Sequence, residues 1–276
     1  MFCFHTKHVQ VTTIVHFCTE NLMRCKQYKM NRLKINTVFL FLLFLVFTSF
    51  TFHRVYSVVK IKYSTKIKIK VSEPSDIAID NNTKEFYIPS DNGILYKCDS
   101  LGTIIQQAET QGWDFEGVEI KDNSVFVLDE SARKVYKYAK TNLKLENVYS
   151  TPYNGGRNEG FESLCYNYTK KCFVLITEKN PITIYEYDEK FQLLNQIKFT
   201  ETRDISSARW FDGHIYLLSD EDRCILKCDA DDYSVKNKYI INVINPEGLT
   251  FNKFGIPVVA GDDIQQLYYF NALASY

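Results

Sequence analysis

The chain has 276 residues, 45% hydrophobic and 15% aromatic, with 24% charged and a formal net charge of zero, enough apolar material for the core of one or two domains. The zero conceals an asymmetry: residues 1–70 hold 12 Lys/Arg and a single acid, Glu20, while residues 71–276 hold 21 basic and 32 acidic residues. A basic leading segment joined to an acidic domain repels phosphate backbones over its larger part, so nucleic acid is excluded as an expected partner.

Residues 1–29 have no usable periodicity and read as a poorly defined extension ahead of a second start at Met30. Met30-Asn31-Arg32-Leu33-Lys34 then leads into Val38–Phe52, an apolar run broken only by Thr48, Ser49 and Thr51. A basic stretch followed by an apolar one is a secretory signal or signal-anchor. The run is shorter than the ~20 residues of a comfortable span, and no small-x-small cleavage site precedes His53-Arg54. Residues 30–57 are therefore expected to act as a signal-anchor. Arg32 and Lys34 ahead of it place the N-terminus in the cytoplasm and the large domain outside, at the cell membrane. A cleaved signal would instead leave a secreted or periplasmic domain.

Between Val58 and Val71, Ile61, Tyr63, Ile67, Ile69 and Val71 alternate with Lys60, Lys62, Lys66, Lys68 and Lys70. Period-two alternation predicts a half-buried strand, the alternative being a solvated polybasic linker beside the membrane. Residues 58–72 are assigned to this linker and strand, and 73–276 to a β-domain.

From Glu73 onward a segment recurs. Phe115-Glu116-Gly117-Val118, Phe161-Glu162-Ser163-Leu164 and Pro246-Glu247-Gly248-Leu249 are its clear copies, and stretches beginning at Pro74-Ser75 and Ile205-Ser206 its weaker ones. Equating Ser75, Glu116, Glu162, Ser206 and Glu247 gives steps of 41, 46, 44 and 41 residues. A period in the forties built of short strands marks propeller blades. The fold class is therefore all-β, a five-bladed β-propeller preceded by an N-terminal hydrophobic membrane segment. A six-bladed ring, with a partial blade from residues 53–72 and the C-terminus, is the alternative. Repeats one to four each have a fourth β-like run and the fifth has none. Because an unpaired edge exposes backbone donors and acceptors, the Lys66–Val71 strand is expected to close the ring.

In a four-stranded blade, the start of the innermost strand and the turn between the second and third strands share one face of the disc. The first set is Ser75, Glu116, Glu162, Ser206 and Glu247; the second is Asp91, Asp129-Glu130, Glu178, Asp220-Glu221 and Asp262-Asp263. One channel mouth should be strongly acidic. Clustered carboxylates take up protons, pair with Lys or Arg, or bind a cation, and hard oxygen donors suit Ca²⁺. The expected metal ligands are Glu116, Glu162, Glu247, Asp91, Glu178 and Asp262. The alternative is that each glutamate caps backbone amides of the neighbouring blade.

His214 is the sole histidine after residue 53, in a turn after Asp212-Gly213, and no nucleophile–base pair accompanies it. Ser-His-Asp or Cys-His chemistry is thus disfavoured, and an enzyme here would run on carboxylates and a metal. The eight cysteines show no C-x-x-C spacing, which argues against zinc. They read as buried hydrophobes, although Cys165 and Cys172 flank a hairpin where pairing is geometrically feasible. Trp113 and Trp210 are placed just ahead of inner strands, as core packing or as ligand platforms. Asn81-Asn82-Thr83 and Asn167-Tyr168-Thr169 are sequons.

Glu73-Pro74-Ser75-Asp76-Ile77-Ala78, Asp91-Asn92-Gly93-Ile94-Leu95-Tyr96, Phe115-Glu116-Gly117-Val118 and Asn245-Pro246-Glu247-Gly248-Leu249 resemble the SdiA-regulated (YjiK-like) family, over about residues 70–270. The resemblance implies an N-terminal membrane segment followed by a propeller related to NHL-type repeats, extracytoplasmic and Ca²⁺-binding, with no defined activity. Glu116, Glu162 and Glu247 match the family's Glu-Gly/Ser-hydrophobic motif; Ser75 and Ser206 depart from it, which rules out a five-fold carboxylate ring. The expected function is a binding or interaction module for an unknown ligand or protein partner, with a metal-dependent lactonase- or esterase-like hydrolase as the alternative. Whether the chain is an enzyme stays open.

Overall fold

The computed structural model describes residues 56–273 apart from 154 and 157–159, and upstream only residues 21, 23, 24, 26, 27 and 29, which are helical. The extension over 1–29 and the membrane segment over 30–57 therefore fall almost wholly outside the described residues. No helix among the described residues is long and apolar enough to cross a membrane. The chain divides into two units, Met1–Val55 and Tyr56–Tyr276; the second is the β-domain.

Its first two strands, β1 (Ser57–Lys60) and β2 (Thr65–Lys68), precede the repeats. The first repeat forms β3 (Ala78–Ile79), β4 (Phe86–Ser90), β5 (Ile94–Cys98) and β6 (Ile104–Gln107). The second forms β7 (Phe115–Lys121), β8 (Ser124–Asp129), β9 (Lys134–Ala139) and β10 (Leu145–Ser150). The third forms β11 (Phe161–Asn167), β12 (Cys172–Thr177), β13 (Thr183–Tyr187) and β14 (Leu193–Lys198). The fourth forms β15 (Ser207–Phe211), β16 (His214–Ser219), β17 (Cys224–Asp229) and β18 (Val235–Ile240). The fifth contributes β19 (Pro246–Phe251), β20 (Pro257–Gly261) and β21 (Gln266–Tyr269). Each repeat is one antiparallel sheet, and the fifth acquires its outer strand from β2, which pairs antiparallel with β21 from Thr65↔Tyr269 to Lys68↔Gln266. Among the described residues there are five blades and no sixth.

The segment expected to be one strand over 58–71 is two. Its first part, β1, runs parallel to β18 as a fifth strand on blade four, in register from Ser57↔Asn237 to Lys60↔Ile240. Between the two strands Ile61 inserts into the core shared by blades four and five, and Tyr63 packs edge-on against Tyr268 at 4.9 Å. One alternating run thus serves two blades, because the chain must cross the cleft between them.

Strand residues alternate to bury one side against each neighbouring blade, producing five apolar clusters, one per blade interface. The cluster between blades five and one contains Ile69, Val71, Ile77, Phe86, Val258 and Leu267, so the ring is sealed by the same side-chain burial that joins every other pair. Near the axis the inner strands converge. A Cβ on Gly117 would stand 2.8 Å from the backbone of Leu164, and one on Gly248 2.8 Å from that of Asp76 and Ile77. At these two positions glycine is needed for close backbone approach.

Candidate functional site

At the position occupied by Gly117 and Gly248, blades one and four carry Asp76 and Ser207, which cap the next inner strand. Val118 N–H donates to Asp76 Oδ2 at 2.9 Å, and Leu249 N–H to Ser207 Oγ at 3.1 Å. Thr250 does the same for Ile79 N–H at 3.2 Å. Ser75 and Ser206 donate to the carbonyls of Phe115 and Pro246 in the next blade. These are the repeated architectural bonds, and Glu116, Glu162 and Glu247 take no part in them. Among the described residues no hydrogen bond or ion pair reaches their carboxylates.

A local irregularity explains where those glutamates go. The inner strands of blades two, three and five shift register between Phe115 and Gly117, Phe161 and Ser163, and Pro246 and Gly248. Each glutamate is thus the extra residue of a β-bulge. A bulge re-aims its side chain out of the alternating pattern, and here it turns three carboxylates into the channel mouth. The second contribution comes from the turns. Backbone bonds Arg133 N–H to Glu130 O (3.1 Å), Arg223 N–H to Asp220 O (3.0 Å) and Gln265 N–H to Asp262 O (3.0 Å) close tight turns between second and third strands. Acidic residues favour the first position of such turns.

Together these elements line a cavity of about 370 Å³ whose walls hold, among the described residues, ten carboxylates and two serines and no Lys or Arg; Lys179, outside the wall, pairs with Glu178 at 2.6 Å. All six sequence-predicted ligands, Glu116, Glu162, Glu247, Asp91, Glu178 and Asp262, lie in this wall, joined by Glu130, Asp220, Ser75 and Ser206. Asp114 and Asp204, which also line it, escaped the sequence reading because they precede the inner strands instead of sitting in the motif or its turn. Asp129, Glu221 and Asp263 belong to the acidic turn set but not to the wall. Asp129 is buried, accepting from Trp113 N–H and Ala132 N–H, and Glu221 faces Arg203 and Lys179.

The tightest group is Asp114, Glu116 and Glu130, whose nearest oxygens all fall within 4.8 Å of one another. Glu130 is fixed by Gly160 N–H at 2.8 Å and Asp114 by Ser131 Oγ–H at 2.6 Å. Loss of hydration, then the charges of Glu162 and Asp91, hold the Glu116 carboxyl well above the usual range. Burial and the charges of Glu130, Glu178 and Glu247 do the same to Glu162. Glu247 is pushed up to about 8, mainly by burial and then by Asp220 and Asp262, and Asp91 to about 6 by burial and by Asp262 and Asp114. The mouth holds more negative charge than it can keep ionised by itself.

Deeper in the molecule Arg209 occupies a fully protein-lined socket. Its guanidinium donates to Leu249 O (3.0 Å), Val118 O (2.7 Å), Glu119 Oε2 (3.0 Å), Asp76 Oδ2 (3.1 Å) and Ile77 O (2.9 Å). Every N–H is satisfied, so Arg209 ties blades one, two, four and five together and has no donor left for a ligand. Beyond it a second cavity of about 920 Å³ opens among Trp210, Phe211, Tyr216, Phe251 and Phe254.

Other expectations fare variously. Trp113 is 78% exposed and is not core; Trp210 lies within β15, not ahead of it, and donates through Nε1 to Thr169 Oγ1 at 3.2 Å. The described cysteines, Cys98, Cys165, Cys172, Cys224 and Cys228, are free and buried. Cys165 and Cys172 stay unbonded because Cys172 pairs in register with Asn167 while Cys165 faces Val174. Asn167 is itself fully buried, its amide donating to Ala230 O at 2.7 Å, so this folded arrangement leaves no room for a glycan on the second sequon.

Fold and site define a five-bladed β-propeller with one acidic channel mouth. The SdiA-regulated family model matches residues 55–256, and the chain belongs to that family. Among solved structures, the glutaminyl cyclase of Myxococcus xanthus superposes with a TM-score of 0.64 at 12% identity, covering 79% of this chain and 98% of that one. The WD40 β-propeller domain of Doa1 aligns with a TM-score of 0.48 at 12% identity, over 72% of this chain and 64% of that one. No curated protein sequence matches the chain. At such identities the first likeness speaks to fold alone.

Proposed function

We propose that the protein is a membrane-associated, extracytoplasmic binding module that takes a hard divalent cation, Ca²⁺, at the acidic mouth. One observation carries this reading: ten carboxylates share a cavity of about 370 Å³ with no basic residue among the described residues of its wall, and three of them are aimed there by bulges instead of being spent on the backbone. The fit to Ca²⁺ is chemical and metric. The donors are all oxygen, and ligands about 2.4 Å from one ion lie no more than about 4.8 Å apart across it, a limit that the Asp114, Glu116 and Glu130 oxygens meet. These three would hold the ion, with Glu162, Glu247, Asp91 and Asp262 supplying the surrounding negative field and Glu178 held in part by Lys179 at 2.6 Å. A bound cation relieves the repulsion that, together with burial, raises the carboxyls of Glu116, Glu162 and Glu247. The apolar run Val38–Phe52 supports the membrane attachment.

Isothermal calorimetry with CaCl₂ tests the reading: Glu116→Gln should abolish the binding heat and Glu247→Gln weaken it, while Mg²⁺ competes poorly because it demands a smaller, octahedral shell. Absence of binding heat in the wild type at millimolar Ca²⁺ defeats it. A metal-assisted hydrolase is the second reading. It draws on the raised carboxyls, which could act as general acids beside an ion. Turnover on a lactone and ester panel that disappears with Glu116→Gln would favour it over the module.

A further inference from the structure

The N-terminal strands carry charge that the fold does not use. Lys60, Lys62, Lys66, Lys68 and Lys70 are all exposed, and none forms an ion pair among the described residues. They follow the chain along the outer edge of blades four and five, through β1 and β2. On blade four, where β1 adds, Asp222 pairs with Arg203 at 2.6 Å and Lys238 at 3.4 Å, and Asp229 with Lys236 at 3.1 Å. On a domain whose net charge is otherwise strongly negative, this basic strip stands apart.

Beside it lies an apolar groove of about 330 Å³ formed by Ile67, Ile79, Phe86, Phe254 and Tyr269, with Lys84 and Lys253 also lining it. Phe254 stands 71% exposed with the Lys253 ammonium 5.1 Å from its ring centroid, and Leu101, in the turn that packs on Ile69, is 73% exposed. Protruding aromatic and aliphatic groups next to unpaired lysines are the combination that binds a lipid surface by insertion and by attraction to its headgroups. The sequence is in keeping with such a surface: the apolar run read as a signal-anchor ends at Phe52, five residues before β1 begins.

We infer that this edge of the propeller docks on an anionic phospholipid surface, with Lys60–Lys70 meeting the headgroups and Phe254 entering the interface. The inference does not depend on Ca²⁺ at the acidic mouth, nor on whether the N-terminal run spans the bilayer.

The test uses the full chain mixed with vesicles of phosphatidylcholine alone or with phosphatidylglycerol added. Lysine acetylation is read residue by residue by mass spectrometry, with flotation alongside. If the apolar run holds the chain on both vesicle types, labelling decides. Lys60, Lys62, Lys66, Lys68 and Lys70 should be protected severalfold on the anionic vesicles only, reversed by salt, while exposed Lys144 and Lys190 on blades two and three are unchanged. If the chain ignores neutral vesicles, flotation decides: it should float with anionic ones, and each of Lys66→Gln and Lys68→Gln should lower that partitioning about fivefold. Phe254→Ser should weaken it on either arm. Equal labelling on the two vesicle types, or no anionic flotation, overturns the inference. Ca²⁺ calorimetry on the same variants should be unchanged, so this proposal and the acidic-mouth reading fail separately.

Discussion

Raising the pH should destabilise the propeller, and Ca²⁺ should restore it. In the folded chain the Glu247 carboxyl rises from 4.5 to about 8. Because the native state holds its proton more tightly than the unfolded chain does, stability is full below about 4.5 and is lost as pH climbs through 8. Ionising that one carboxyl in the fold costs on the order of 5 kcal/mol, and Glu116 and Glu162 shift in the same direction. For a domain of this size 1 kcal/mol moves the midpoint by roughly 2–4 °C, so Glu247 alone corresponds to a fall of about 10–20 °C. The assay is a melting curve at several pH values in chelator, repeated with millimolar CaCl₂ and with Glu247→Gln. The wild type should melt progressively lower from pH 5 to pH 8.5, CaCl₂ should flatten the slope, and Glu247→Gln should melt higher than the wild type at the alkaline end in chelator. A wild-type melting temperature that does not change with pH in chelator would refute the reasoning, since it would mean that the carboxylates are not crowded.

Four further outcomes follow from the packing. Gly248→Ala should lower stability by about 1–3 kcal/mol in urea, because its Cβ meets the Asp76 and Ile77 backbone, which cannot yield. Arg209→Met should cost about 3–5 kcal/mol by stranding Asp76 and Glu119 as unpaired buried carboxyls; a smaller loss on replacing all three with apolar residues would confirm the cause. Ile69→Ala, at the seal between blades five and one, should cost about 2–5 kcal/mol in the same titration. Thiol labelling of the native protein should spare Cys98, Cys165, Cys172, Cys224 and Cys228 until denaturant is added, since burial both shields them and pushes the thiols up.

Blade number was legible because it is a matter of period. The recurrence from Ser75 to Glu247 counts five sheets without reference to any contact. The acidity of one mouth was legible too, since strand start and hairpin turn must share a face in any antiparallel blade. What could not be read was which of two roles the glutamates play. Capping and cation-facing carboxylates have the same residue type at the same spacing, and the difference lies in a one-residue shift of register, visible only once β7 pairs with β8. Likewise Asp114 and Asp204 enter the wall through the path of their loops, with no pattern to announce them.

The N-terminal strands divide along the same line. Alternation of lysine with Ile and Tyr by itself specified extended backbone with one wet face, and the missing outer run of repeat five specified a vacancy for it. The tertiary structure decided that β1 adds to blade four and β2 to blade five. Period and polarity are local properties, written in each residue's neighbours along the chain. Strand partner, bulge position and the crowding of charge are set by residues tens to hundreds of positions away, and become physical only when the ring closes.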